Sequence, residues 1–243
     1  MEKFFNVLLE FDKDKVHHII KNTIEEHKKG YVCAIESNNL AVANKDKAFN
    51  KVVNGALVNV CDGSNIAWLL GKIHKRDFCS YIGNDLFCYF LNQRQYKQYF
   101  IGNTDEILAK LRQELSLIDS DIANMPFKSL PFRRVEDFNY SEIAEDINKY
   151  APDIIWVSLG APKQEFFMAN LSPRINRGVM FGVGAAFNFM AKTGPVKRAP
   201  QWMRNLRLEW LYRAFEEPQK NVPRYWNFIK LLPRLVYGEC KGR

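Results

Sequence analysis

Histidine and paired cysteine are what this chain has least of. Among 243 residues there are 4 histidines and 5 cysteines, and no two cysteines form a C-x-x-C pair. His17, His18, His27 and His74 lie in polar stretches without ligand spacing, so a His/Cys zinc site is not expected. Most of the cysteines (Cys33, Cys61, Cys79, Cys88, Cys240) sit in apolar contexts and read as reduced core residues of a cytosolic protein. Long apolar runs are also missing. The longest uncharged stretch, residues 178–191, is too short to span a bilayer and is broken by glycine. No long apolar run follows the first charged residues, so no signal peptide is expected. Neither G-x-G-x-x-G nor a Walker loop occurs, which removes the nucleotide-dehydrogenase and P-loop classes. There is no internal repeat and no low-complexity segment.

What is present is a core-forming composition, 47% hydrophobic, in a length that suits one large domain or a domain with an appendage. The net charge of +8 is confined to one end. Residues 192–243 carry 12 Lys/Arg against 4 Asp/Glu, while residues 1–191 carry 23 of each sign. A basic tail on a neutral body implies an anionic partner: lipid headgroups, a phosphorylated substrate or nucleic acid. Residues 222–237 mix Trp, Tyr, Phe and Leu with Lys and Arg, the composition of a segment at a membrane interface. A helical flap packed on the body is the alternative. Pro223 and Pro233 limit any helix between them to under three turns.

Short apolar runs alternate with amphipathic patterns through the body. Strands are expected at 6–11, 31–35, 57–60, 99–101, 154–159 and 179–183. Helices are expected near 14–29, 39–53, 64–74, 84–93, 104–119, 141–149 and 162–170. Continuous apolar strands alternating with helices predict a Rossmann-like α/β fold: a mostly parallel sheet with helices on both faces. The division expected is a catalytic core over 1–195 and a basic helical appendage over 196–243. Sites in such folds lie at the carboxyl ends of the strands. The residues to inspect are therefore Ser37 to Asn39, Asp62, Gly102 with Asn103, Gly160 to Gln164, and Gly182 to Gly184.

Asp62 precedes Gly63 directly after an apolar run, so it reads either as a carboxylate projecting into the cleft or as an Asp-Gly turn. In Gly160-Ala161-Pro162-Lys163-Gln164-Glu165, Lys163 and Gln164 are within reach of a nucleotide base or phosphate. The same residues also suit a helix start, with Pro162 in the first turn and Glu165 favoured by the dipole. The triplets Asp12-Lys13-Asp14 and Asp119-Ser120-Asp121 mimic the DxD metal site of sugar transferases. Asp12 fits an N-cap equally well, and Asp119 ends a helical pattern. The tail arginines supply an alternative counter-charge for a diphosphate.

Together, several of these segments resemble the WecG/TagA/CpsF glycosyltransferases (glycosyltransferase family 26). They are Asp62-Gly63, Gly83-Asn84-Asp85, the run from Leu159 to Glu165, Gly182-Val183-Gly184, Arg198-Ala199-Pro200, and Leu208 to Arg213 with Glu217-Pro218. The resemblance covers essentially the whole chain. It implies an inverting bacterial enzyme that moves an N-acetylmannosamine-type or related hexose from a UDP-sugar. The implied acceptor is an undecaprenyl-diphosphate-linked sugar in surface polysaccharide or teichoic acid biosynthesis. It makes Asp62 the base, with Ser37 and Asn39 matching a Thr-x-Asn beside it. With the strand-end positions, the donor is expected at Ser37, Asn39, Gly102, Asn103, Gly160, Lys163, Gln164, Gly182 and Gly184. The acceptor or diphosphate falls to Asp85, Arg198, Arg207, Arg213 and Arg224. No metal or other cofactor is implied. The appendage is expected to close the site and to rest on the anionic inner face of the plasma membrane. Asn188 and Lys192 depart from the family's usual Asp and Gly, which leaves the donor sugar open. A nucleic-acid partner is not expected, because it leaves the neutral body and the glycine turns unexplained. Self-association into a homo-oligomer is left open. The competing reading is a non-catalytic nucleotide-sugar-binding subunit of a capsule assembly complex.

Overall fold

Strands buried on both faces set the architecture. A computed structural model describes residues 1–192 and 199–241. Its strands are β1 (Glu2–Phe4), β2 (Val7–Leu9), β3 (Lys29–Ile35), β4 (Val58–Cys61), β5 (Gln98–Gly102), β6 (Phe127–Lys128), β7 (Ile154–Ser158) and β8 (Gly178–Gly182). Every residue of β4, β5, β7 and β8 is buried, as a parallel sheet covered on both faces requires. The main sheet has six strands in the order β4-β3-β8-β7-β5-β6, all parallel. The expected Rossmann-like class is therefore the observed one.

Alternation along each strand sends side chains to two cores. One face carries Tyr99, Ile155, Val157 and Met180. It is covered by α2 (Ser37–Ala43), α3 (Lys47–Asn54), α4 (Ser64–His74), α7 (Tyr140–Tyr150) and α8 (Lys163–Leu171). The other face carries Phe100, Ile154, Trp156 and Phe181 under α1 (Lys13–Glu25), α5 (Gly83–Leu91), α6 (Asp105–Ser116) and α9 (Ala186–Met190). Trp156, fully buried, satisfies its indole N–H on Gln98 Oε1 at 2.7 Å. Beyond the sheet come α10 (Gln201–Asn205), α11 (Glu209–Glu216) and α12 (Pro218–Lys241).

Four expectations need correction. The run at 6–11 is not a body strand. Phe5 and Asn6 both have positive φ and form a two-residue turn, so β1 and β2 make a separate antiparallel hairpin. After the hairpin, Glu10 forms an isolated parallel bridge to Val60 at the edge of the main sheet. The helix expected over 39–53 is two helices, because Asp46 accepts from Ala48 N (2.8 Å) and Phe49 N (3.2 Å) and starts α3 afresh. The tail prolines do not stop α12, which continues through both Pro223 and Pro233. Pro223 falls near the start, where few helical bonds are lost, and tertiary packing holds the rest. Finally, only Cys33 and Cys61 are buried; Cys79 and Cys240 are exposed, and all five are free thiols.

Packing also shows what α12 does. Leu235 is buried in the first core, with Phe228, Leu231 and Val236 against it. Near its end, Glu239 accepts from Phe5 N at 2.8 Å and pairs with His74 Nε2 at 2.9 Å. The outward side of the same helix carries an apolar stripe among polar and basic residues. Val222, Trp226, Ile229 and Tyr237 repeat at helical spacing and are 50–61% exposed. Lys230 and Lys241 lie over Trp226 and Tyr237 at 5.1 and 4.7 Å. Among the described residues no helix is long and apolar enough to cross a membrane.

Candidate active site

The carboxyl ends of all six main-sheet strands converge on one cavity of about 940 Å³. Its walls include Glu36 and Asn39 after β3, Asp62 after β4, Asn103 after β5, Ser158 to Gln164 after β7, and Gly182 to Ala186 after β8. Arg213, Lys220, Arg224 and Tyr225, from α11 and α12, close the opposite side. Charge is balanced there: Lys163, Arg213, Lys220 and Arg224 face Glu36, Asp62, Asp105 and Glu217.

Asp62 leaves the end of β4 with its N–H on Ile35 O at 2.9 Å, so its backbone is an extension of the sheet. Burial pushes its carboxyl up to about 7. Arg213 and the Gly83 N–H pull the other way, and Glu36 and Glu209 add to the rise. The side chain lines the cavity wall and accepts from the Gly83 N–H at the start of α5. Such a carboxyl exchanges its proton near neutral pH, the property a general base needs.

Arg213 is held from both sides. It donates to Glu209 Oε1 at 2.8 Å, the expected i,i+4 pair, and faces the Asp62 carboxylate. Asn221 Nδ2 donates to Arg213 O at 2.8 Å and ties α11 to α12.

The glycine turns bring backbone and side chains close together. A Cβ on Gly182 would stand 2.9 Å from both Gln164 Nε2 and Met168 Cε. Gly102 has φ +101, and its Cβ would lie 2.5 Å from Ser158 O. Gly102 is therefore a spacer behind the wall, and the next residue reaches the cavity. Asn103 donates to Asn188 Oδ1 at 2.8 Å and Ser158 Oγ at 3.2 Å.

The sequence profile of the glycosyl transferase WecG/TagA/CpsF family matches residues 4–242. The chain belongs to that family. Two curated relatives carry the name N-acetylglucosaminyldiphosphoundecaprenol N-acetyl-beta-D-mannosaminyltransferase. The one from Bacillus subtilis (strain 168) is 25% identical over 218 residues, covering 86% of this chain and 82% of the relative. The one from Bacillus spizizenii (strain ATCC 23059 / NRRL B-14472 / W23) is 24% identical over 229 residues, covering 93% and 84%.

The cavity gathers most of the residues selected from the sequence. Asn39, Asp62, Asn103, Gly160, Lys163, Gln164, Gly182, Gly184, Arg213 and Arg224 all line it. Ser37 does not; its hydroxyl donates to Glu36 Oε2 at 3.1 Å behind the wall. Asp85 is exposed in the first turn of α5, off the wall. Arg207 is exposed as well, and its carbonyl accepts from Asn65 at 3.3 Å. Arg198 and the 195/196 boundary lie outside the described residues. Both acidic triplets act as caps: Asp12 accepts from Asp14 N and Lys15 N, and Asp119 from Asp121 N. Neither is on the cavity wall.

Sequence reasoning missed Glu36, the loop Ser129 to Phe132, Lys220 and Tyr225. Glu36 had a legible signal, since it follows a strand directly. The loop had none. It reaches the cavity only because β6 pairs with β5, and Phe132 then stands 5.3 Å from Lys163.

Proposed function

We propose that this glycosyltransferase-family protein is an inverting enzyme. In this reading it moves an N-acetylmannosamine-type or related hexose from a UDP-sugar to a sugar on undecaprenyl diphosphate, in bacterial surface polysaccharide or teichoic acid assembly. The observation that carries the reading is Asp62: a carboxyl at a strand end, pushed up to about 7 by burial, in a cavity that also holds Arg213 and Arg224. The relatives' names support the acceptor class. Asp62 takes the proton of the acceptor hydroxyl as that oxygen bonds to the anomeric carbon. The bond from the anomeric carbon to the diphosphate oxygen breaks, and its electron pair leaves on that oxygen with UDP. In this reading Arg213, Arg224 and Lys220, which line the cavity, offset the charge that grows on the departing diphosphate. Lys163, Gln164 and the Gly182–Gly184 turn form the donor wall.

The test is UDP release and product mass with UDP-N-acetylmannosamine and a short-chain prenyl-diphosphate N-acetylglucosamine acceptor. UDP binding without transfer to any acceptor in a panel would favour the non-catalytic subunit instead.

Transfer is expected to persist in EDTA. Asp12 and Asp119 are engaged as caps, and the cavity brings its own cations to the diphosphate. Loss of activity in EDTA that manganese or magnesium restores would refute this.

In the same reading α12 is the peripheral contact with the cytoplasmic membrane surface. Its outward stripe of Val222, Trp226 and Ile229 is exposed beside cations. Changing these three residues to serine should weaken binding to anionic vesicles at least ~10-fold, a small part of the apolar area lost. Turnover on a water-soluble acceptor should stay within about twofold, a margin below ordinary site effects. Unchanged vesicle binding in a sedimentation assay would remove α12 from the membrane.

A further inference from the structure

Glu165 is a buried carboxyl beneath the cavity that the transfer chemistry above does not use. It occupies the first turn of α8, where an acidic residue ordinarily points outward to the helix dipole, yet it is 0% exposed. Its Oε1 accepts from Asn39 Nδ2 at 3.0 Å and from Gln164 Nε2 at 3.2 Å. Its Oε2 is buried without a hydrogen-bond partner. Burial pushes the carboxyl up to about 7; Glu36 adds to the rise, and Cys33 is its other titratable neighbour. An isolated helix-start residue has no need of this costly placement.

Backbone groups fix the direction of both amides. The Gly184 N–H donates to Gln164 Oε1 at 3.1 Å, and the Glu36 N–H to Asn39 Oδ1 at 3.4 Å. With their carbonyl ends taken, both side chains turn their NH2 groups to the same carboxylate oxygen. A single atom thereby ties together the end of β3, the start of α8 and the turn after β8. These are three of the segments that wall the cavity.

We propose that Glu165 is a positioning residue whose Oε1 holds Asn39 and Gln164 in the orientations that the donor nucleotide meets. The proposal rests on the donor reading above and deepens it. Glu165 touches no substrate, because it is not on the cavity wall. It acts through two residues that are.

Glu165→Met keeps the length of the side chain and removes the acceptor. UDP titration of this variant should show affinity reduced at least ~10-fold, since two buried NH2 groups lose their partner. The donor KM should rise more than kcat falls. Glu165→Gln keeps an oxygen at Oε1 and should recover UDP affinity to within about threefold of wild type. In 15N–1H spectra, the side-chain amide signals of Asn39 and Gln164 should be protected from exchange in wild type and Glu165→Gln, but not in Glu165→Met. Should Glu165→Met fail to fold, Glu165→Asp takes its place. Its carboxylate is withdrawn by one methylene, and UDP affinity should fall at least ~5-fold. Wild-type UDP affinity in Glu165→Met or Glu165→Asp overturns the proposal. So does a Glu165→Gln variant as impaired as Glu165→Met. If the wild-type chain itself does not bind UDP, the donor reading falls, and the exchange of the two amides alone decides whether Glu165 positions them.

Discussion

Asp62→Asn is expected to lose about 100-fold or more in turnover, the range for removal of a general base. UDP affinity should be nearly unchanged, because the base acts on the acceptor hydroxyl. The same variant should be more stable at alkaline pH, and the sign follows from proton linkage. Asp62 has a folded pKa of about 7 against 3.8 for the free side chain. Between those values the folded state holds a proton that the unfolded state has released. Stability therefore falls as pH rises through this window and stays low above it. Asparagine carries no charge to bury, so the variant escapes that loss. The gain at pH 8 should be roughly 1–3 kcal/mol. Wild-type activity should in turn rise with pH through about 7, where the base becomes free to accept. Thermal unfolding and a pH–rate profile of both proteins check these expectations together. A variant within about threefold of wild-type turnover would return Asp62 to the role of turn residue.

The second large effect is expected at Arg213. Arg213→Gln should lower turnover ~100-fold even on a water-soluble acceptor, about the effect of removing one preorganised charge donor from a transition state. It should also move the pH–rate profile. Arg213 is the strongest influence holding the Asp62 carboxyl down, so its removal lets the base titrate at higher pH. The rising limb of the profile then shifts to the alkaline side. Glu209→Gln separates this from a structural role. Glu209 pairs with Arg213 at 2.8 Å but is absent from the cavity wall. If Arg213 served only that helix-surface pair, the two variants would be equally impaired, and by little. Full activity of Arg213→Gln would instead make α11 and α12 an anchor without a part in transfer.

Periodicity and composition determined the sheet-and-helix class, the placement of α1 and α4 to α8, and the basic character of one end. Those properties are local. Apolar runs of strand length and 3.6-residue repeats are written in neighbouring residues, and solvent alone sorts them. The short motifs determined which strand ends mattered, and Asp62, Gln164 and Arg213 were legible in that way. Tertiary structure decided the rest, because each remaining feature depends on partners distant in sequence. Pro223 and Pro233 argued for a broken tail, but Leu235 and Glu239 fasten α12 to the core and to the hairpin. Glu165 read as a helix-start charge until Asn39, 126 positions earlier, met it at 3.0 Å. Asp85 and Arg207 had the right chemistry and the right neighbours in sequence, yet both are exposed and neither lines the cavity. Which residues face one enclosed space is set by strand order and by the close packing of helices over strand ends. Long-range contacts fix both, and no local pattern encodes them.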